Sequence, residues 1–166
     1  MFEKLKQFKR VYVTGPQRSG TTICTKMISQ DTGFDSIDER QYRQDKNHFD
    51  ALRGRKEIVI QCPKYNHIIH EHSDSQSIIV MMMRPVKEII QSQIRVNWQH
   101  EKHELSKYNV KDGPIAKVKY DFWEKQKRLI EHYLEIEYRS LEAHPLWIDD
   151  KLRRYFKIKQ TKIQQI

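Results

Sequence analysis

Residues 11–22 read Val11-Tyr12-Val13-Thr14-Gly15-Pro16-Gln17-Arg18-Ser19-Gly20-Thr21-Thr22. A short β-branched and aromatic run enters a loop bounded by two glycines, and residues 23–28 continue as a helix. A strand–loop–helix turn of this kind aims several backbone N–H groups, and the positive end of the helix dipole, at one point. Such a point suits a phosphate or sulfate. The loop that binds nucleoside triphosphates has Gly, four residues, Gly, Lys and Ser/Thr, and its Lys reaches the outer phosphates. Gly15 and Gly20 keep that spacing, but Thr21 stands at the Lys position, and the cation is Arg18 inside the loop. The pattern predicts an anion loop serving chemistry other than triphosphate hydrolysis.

A second anion site is expected further along. Ser77-Ile78-Ile79-Val80-Met81-Met82-Met83 is a continuous apolar run, the pattern of a strand buried on both faces of a parallel sheet. It ends at Arg84-Pro85, after which Val86, Ile89, Ile90 and Ile94 recur at helical spacing. Arg84 is thereby placed at the carboxyl end of a core strand, where open α/β sheets bind ligands. Ser92 falls about two turns into the following helix. A guanidinium grips a dianion through paired hydrogen bonds, and a hydroxyl adds one more donor.

Arg18-Ser19-Gly20-Thr21-Thr22 after a strand resembles the phosphosulfate loop of sulfotransferases, which use 3′-phosphoadenosine 5′-phosphosulfate as sulfuryl donor. Arg84 with Ser92 resembles the pair that holds the donor's 3′-phosphate in that family. Three looser segments extend the resemblance over 11–156. Asp38-Glu39 is similar to the base segment of tyrosylprotein and other Golgi-type sulfotransferases. Ile58-Val59-Ile60-Gln61-Cys62-Pro63-Lys64 resembles a strand ending in Lys-x-Pro, with Gln61 at the Lys position and Lys64 three residues later. Around Leu134 to Leu141, Tyr138 matches a Tyr that packs near the adenine, while Arg139 replaces the family's Glu.

The resemblance implies a P-loop-type, three-layer α/β/α fold with a mostly parallel sheet of four or five strands. It implies transfer of a sulfuryl group to a hydroxyl or amine, without a metal. Gly15, Gln17, Arg18, Ser19, Gly20, Thr21 and Thr22 would hold the 5′-phosphate, Arg84 and Ser92 the 3′-phosphate, and Tyr138 would lie by the adenine. Arg18 would offset charge on the leaving oxygen, and Glu39, with Asp38 in reserve, would take the acceptor proton. Lys64 would stand in for the family's Lys. Gln61 also admits a module that binds the phosphoadenosine nucleotide without turnover. A nucleotide kinase on the same general fold is the other alternative. Against it stand Thr21 and the lack of an Asp in strand 78–83 to hold Mg²⁺.

The remaining composition sets bounds. The 166 residues suffice for a single sulfotransferase-like domain over 1–166. Mean hydropathy is −0.86, and no apolar segment approaches a membrane span. The N-terminus has no apolar stretch after its charges, and Cys24 and Cys62 form no disulfide framework, so a bare catalytic domain in a reducing cytoplasm is expected. The net charge of +9 combines 31 basic with 22 acidic residues. The basic residues are interleaved with the acids and form no aromatic-lined stripe, which argues against nucleic acid. They suit a polyanionic nucleotide donor and a small-molecule, carbohydrate or peptide acceptor, an acidic one accounting for more of the charge. His67, His70, His72, His100 and His103 lack the partners of a zinc site.

Periodicity predicts strands at 10–14, 57–61, 77–82 and 134–138, with a short one at 34–37. Helices are expected at 22–30, 42–52, 86–100, 115–133 and 149–156. The fourth would bury a face of Ile115, Val118, Phe122, Leu129, Ile130 and Tyr133. Strands alternating with helices indicate a parallel sheet covered on both sides.

Overall fold

The computed structural model describes residues 1–42, 45–149 and 152. The basic tail at 157–162, and all but two residues of the helix expected over 149–156, lie outside the described residues. The strands are β1 (Arg10–Thr14), β2 (Asp35–Ile37), β3 (Ile58–Gln61), β4 (Ser77–Met83) and β5 (Tyr133–Glu137). They form one sheet in the order β2-β3-β1-β4-β5. Every neighbouring pair runs parallel, with Tyr12 opposite Ile60 on one side and Ile79 on the other.

Side-chain alternation along the strands divides the core. Val11, Val13, Val59, Val80 and Met82 face one side, where they meet Ile23, Met27 and Ile28 of α1 (Thr21–Thr32). Tyr12, Ile58, Ile60, Ile79 and Met81 face the other. There they pack on Phe49 of α2 (Lys46–Ala51), on Tyr65 and Ile69 of the 3₁₀ segment Pro63–His72, and on Trp123 of α5 (Ile115–Gln126). Period-two alternation in strands buried on both faces produces the expected three-layer parallel α/β/α architecture.

Three helices are shorter than the sequence suggests: α2 starts only at Lys46, where the Asp45 side chain accepts from the Asn47 and His48 N–H groups as its N-cap. α3 (Val86–Arg95) ends because Asn97 takes a left-handed φ of 55°, and α4 (Glu101–Ser106) starts separately. α5 stops at Gln126 because Tyr133 belongs to β5, in register with Ile79. The buried face of α5 is also displaced from the expected one. It consists of Ile115, Ala116, Lys119, Trp123 and Gln126, whereas Leu129 lies beyond the helix and is 67% exposed.

Candidate functional site

The carboxyl ends of β1, β3 and β4 meet at the loop 15–20. Glycine is required at both ends of it. Gly15 has φ +144° and Gly20 has φ +104°, and a Cβ on Gly20 would lie 2.7 Å from the Tyr138 ring. Between them Arg18 adopts φ 73° without being glycine, a conformation that costs about 1–2 kcal/mol and persists only where neighbours hold it. Ser19 closes the loop internally, its backbone N–H and its hydroxyl both donating to Pro16 O, at 3.1 and 2.6 Å. Gly20 is the N-cap of α1 and offers no side chain there, so the first N–H groups of the helix open onto the loop.

The two motifs expected to bind anions meet. Arg18 Nε donates to Ser92 Oγ at 3.0 Å, and Arg84 Nη1 donates to Arg18 O at 2.7 Å. Arg84 is buried, and its guanidinium lies 3.9 Å from the centroid of the Tyr138 ring. Tyr138 thus fills the space between Gly20 and Arg84, with Trp147 edge-on behind it at 5.1 Å. Arg18, Arg84, Ser92 and Tyr138 form one cluster although the sequence spreads them over more than a hundred residues.

On the β3 side the loop meets Gln61. Its Nε2 donates to Thr22 Oγ1 at 2.7 Å and to Thr21 Oγ1 at 3.3 Å, so a neutral amide touches the anion loop at the position where the resembled family carries Lys. Next to it a cavity of about 280 Å³ is lined by Thr22, Lys26, Asp38, Glu39 and Gln61. Glu39 is half-buried, and burial raises its carboxyl above the usual range. The Lys64 backbone N–H, donating to Glu39 Oε1 at 3.1 Å, and the Lys64 and Lys119 charges oppose that shift. Asp38 lies lower: burial pushes it up, but Arg40 and the backbone N–H groups of Arg40 and Gln41 more than reverse this. Of the two carboxylates, Glu39 is therefore the one better matched to taking a proton. Lys64 comes to the site chiefly through its backbone.

A further polar group lies behind the loop, and the sequence reading missed it. Lys119, 1% exposed, donates to Gln17 Oε1 at 3.0 Å, Pro63 O at 2.8 Å and Glu104 Oε1 at 3.2 Å. Burial lowers its pKa to about 8, against the pull of Glu104. Burial likewise pushes Glu104 up, and Lys119 and Lys107 more than reverse it. The sequence signal was a Lys one helical turn from both Ile115 and Trp123, in the middle of the buried stripe. Among the described residues, no group of three or more His, Cys, Asp or Glu is placed to hold a metal ion. No helix among them is long and apolar enough to cross a membrane.

No known protein-family profile matches the sequence, and no curated protein does. Solved structures do match. Shikimate kinase from Acinetobacter baumannii, in complex with shikimate, superposes with a TM-score of 0.55 at 14% identity, covering 99% of this chain and 98% of that one. The YorR protein from Bacillus subtilis, in complex with phosphorylated GDP, gives 0.51 at 9% identity, over 94% and 97%. Shikimate kinase from Bacteroides thetaiotaomicron gives 0.50 at 12% identity, over 76% and 86%. At these identities the likeness is one of fold: the chain has the P-loop NTPase-like α/β architecture.

Proposed function

We propose that this chain is a sulfuryl transferase using 3′-phosphoadenosine 5′-phosphosulfate and a hydroxyl or amine acceptor. The observation that supports it is the junction of Arg18 with Ser92 and Arg84, at 3.0 and 2.7 Å. In this reading that junction supplies a second cationic point beside the loop, which a donor with both a 5′-phosphosulfate and a 3′-phosphate would need. A triphosphate chain instead calls for the Lys that Thr21 replaces.

In this reading the loop N–H groups of 17–22, with Thr21 and Thr22, hold the 5′-phosphate. Arg84 and Ser92 hold the 3′-phosphate, and Tyr138 braces Arg84. The acceptor enters the cavity at Glu39. Its oxygen or nitrogen attacks sulfur in line, a bond to sulfur forms, and the bond from sulfur to the 5′-phosphate oxygen breaks. The acceptor proton passes to Glu39. The electron pair leaves on the bisphosphate, where Arg18 and the loop dipoles offset the charge. Gln61 contributes a neutral donor, and Lys64 a nearby positive charge.

The second reading is phosphoryl transfer from a nucleoside triphosphate, favoured by the superposition on shikimate kinase over 99% of this chain. The two separate by ligand choice. Calorimetric titration with adenosine 3′,5′-bisphosphate and, separately, with ATP and magnesium should show tighter binding of the bisphosphate. Tighter ATP binding would instead make phosphoryl transfer the better reading. Bisphosphate binding with no transfer of labelled sulfate to sugars, phenols, amines or acidic peptides would leave a nucleotide-binding module.

A further inference from the structure

Gln17 is held on three sides. Its side-chain amide donates to Glu104 Oε1 and accepts from Lys119 Nζ, and its backbone carbonyl accepts from Gln93 Nε2 at 3.2 Å. The next residue is Arg18, in its left-handed conformation. The polar chain then runs on toward the other half of the site. Lys107 Nζ lies 2.6 Å from Glu104 Oε2 and donates to Lys64 O at 2.9 Å, and the Lys64 N–H donates to Glu39. Loop, ion pair and acceptor-side carboxylate are thus joined by consecutive contacts through α4, α5 and the segment after β3.

We infer that the buried Lys119–Glu104 pair is a positioning device. It fixes the anion loop in its binding conformation through Gln17 and sets the distance from that loop to Glu39 through Lys107 and Lys64. The inference rests on the loop being the donor site proposed above. Neither Lys119 nor Glu104 touches the reacting atoms; both act through Gln17 and Lys64.

The donor count makes the device sensitive to protonation. An ammonium has three N–H groups for the three acceptors Gln17 Oε1, Pro63 O and Glu104 Oε1, whereas a neutral amine has two. Loss of the proton therefore releases at least one contact. The charged groups acting on Lys119 are Glu104 from α4, Lys107 just after it, and Glu39 from the segment after β2. They leave its pKa at about 8, with burial the main cause.

The test uses the whole chain and two variants. Lys119→Met with Glu104→Gln removes both charges and keeps the volume, a replacement buried pairs tolerate. Gln17→Met leaves the pair intact and removes the contact to the loop. Amide hydrogen exchange over residues 15–22 is measured without ligand, and adenosine 3′,5′-bisphosphate affinity from pH 7 to 9.5. In the wild type, affinity should fall about tenfold through pH 8. Both variants should bind about tenfold more weakly at pH 7 and exchange their loop amides faster, and the double variant should lose the alkaline fall. A folded double variant with wild-type loop exchange, or with the alkaline fall intact, overturns the inference. Should the double variant not fold, unchanged loop exchange in Gln17→Met overturns it equally. If the wild type binds no bisphosphate but the variants exchange faster, the clamp stands and the sulfuryl-donor reading falls.

Discussion

The two flanks of the anion loop are built to different standards. Toward α3, α5 and β5, the loop meets buried groups already engaged with one another: Ser92, Arg84, Tyr138, and the Lys119–Glu104 pair behind Gln17. Toward β2 it meets an open cavity, where one backbone N–H bond at 3.1 Å holds Glu39 and where Asp38 and Arg40 pair at the surface. The first flank is preorganised, so a ligand binding there loses little free energy to ordering the protein. The second is an open cavity which, under the proposed function, would admit acceptors of different shape. Under the proposed function, donor recognition and acceptor choice would fall to separate parts of the molecule, and substitutions should separate them.

The largest effect is expected at the border between the flanks. Gly20→Ala forces a side chain into φ +104° and against Tyr138. It should cost about 1–3 kcal/mol in urea unfolding for the backbone alone. It should also weaken bisphosphate binding more than about a hundredfold, since loop and Arg84 brace shift together. Glu39→Gln comes next. It should lower turnover by about a hundredfold, the usual contribution of a positioned base, while leaving bisphosphate affinity in place. Equal transfer rates for this variant and the wild type would remove Glu39 from the mechanism.

Arg84→Ala should weaken the bisphosphate roughly ten- to a hundredfold, through loss of a charge-assisted contact of about 1.5–3 kcal/mol. Considered as a 3′-phosphate ligand alone, Arg84 would leave adenosine 5′-phosphate unaffected. Because Arg84 also holds the Arg18 carbonyl at 2.7 Å, affinity for the 5′-phosphate compound should fall too, by a smaller factor. Unchanged 5′-phosphate binding would show that the first flank is less coupled than its geometry implies.

The smallest effect concerns pH and stability. Burial raises the Glu39 pKa in the folded chain, so the folded state binds this proton more tightly than the unfolded state. Its favourable contribution is full below the unfolded value of 4.5 and is lost as pH rises through the folded value. At pH 7, Glu39→Gln should therefore raise Tm slightly, by about 1–2 °C. If Glu39 is the base of the proposed reaction, the wild-type rate should fall as pH drops through the same raised pKa, because the base must be ionised. A Tm that drops at pH 7 would mean that the carboxylate is held better than its single backbone bond indicates.

How much was legible from the sequence follows the same division. The loop 15–22 and the apolar run 77–83 encode local geometry, through glycine spacing and two-faced burial, and both appear at their expected places. Glu39 and Gln61 were found as types at a position, but their neighbours were not. The Lys119 clamp was out of reach because its partners lie 102 and 15 residues away, and because a Lys on a helix is ordinarily solvated. Helix ends failed for another reason. Apolar period continues past Arg95 and Gln126, but it does not tell where the chain must turn to reach the sheet.

The central place of β1 bears on how the chain assembles as it is made. β1 is made before the other strands, yet its two neighbours in the sheet are β3 and β4, so one of its edges stays unpaired until residue 61 is available and the other until residue 83. Gly20 waits longer still, for Tyr138, and Gln17 for Lys119. Parallel pairing across such separations is slow, and unpaired apolar edges invite aggregation in the interval. The loop 15–20, made before four of the five strands, is in this fold among the last segments to acquire its shape.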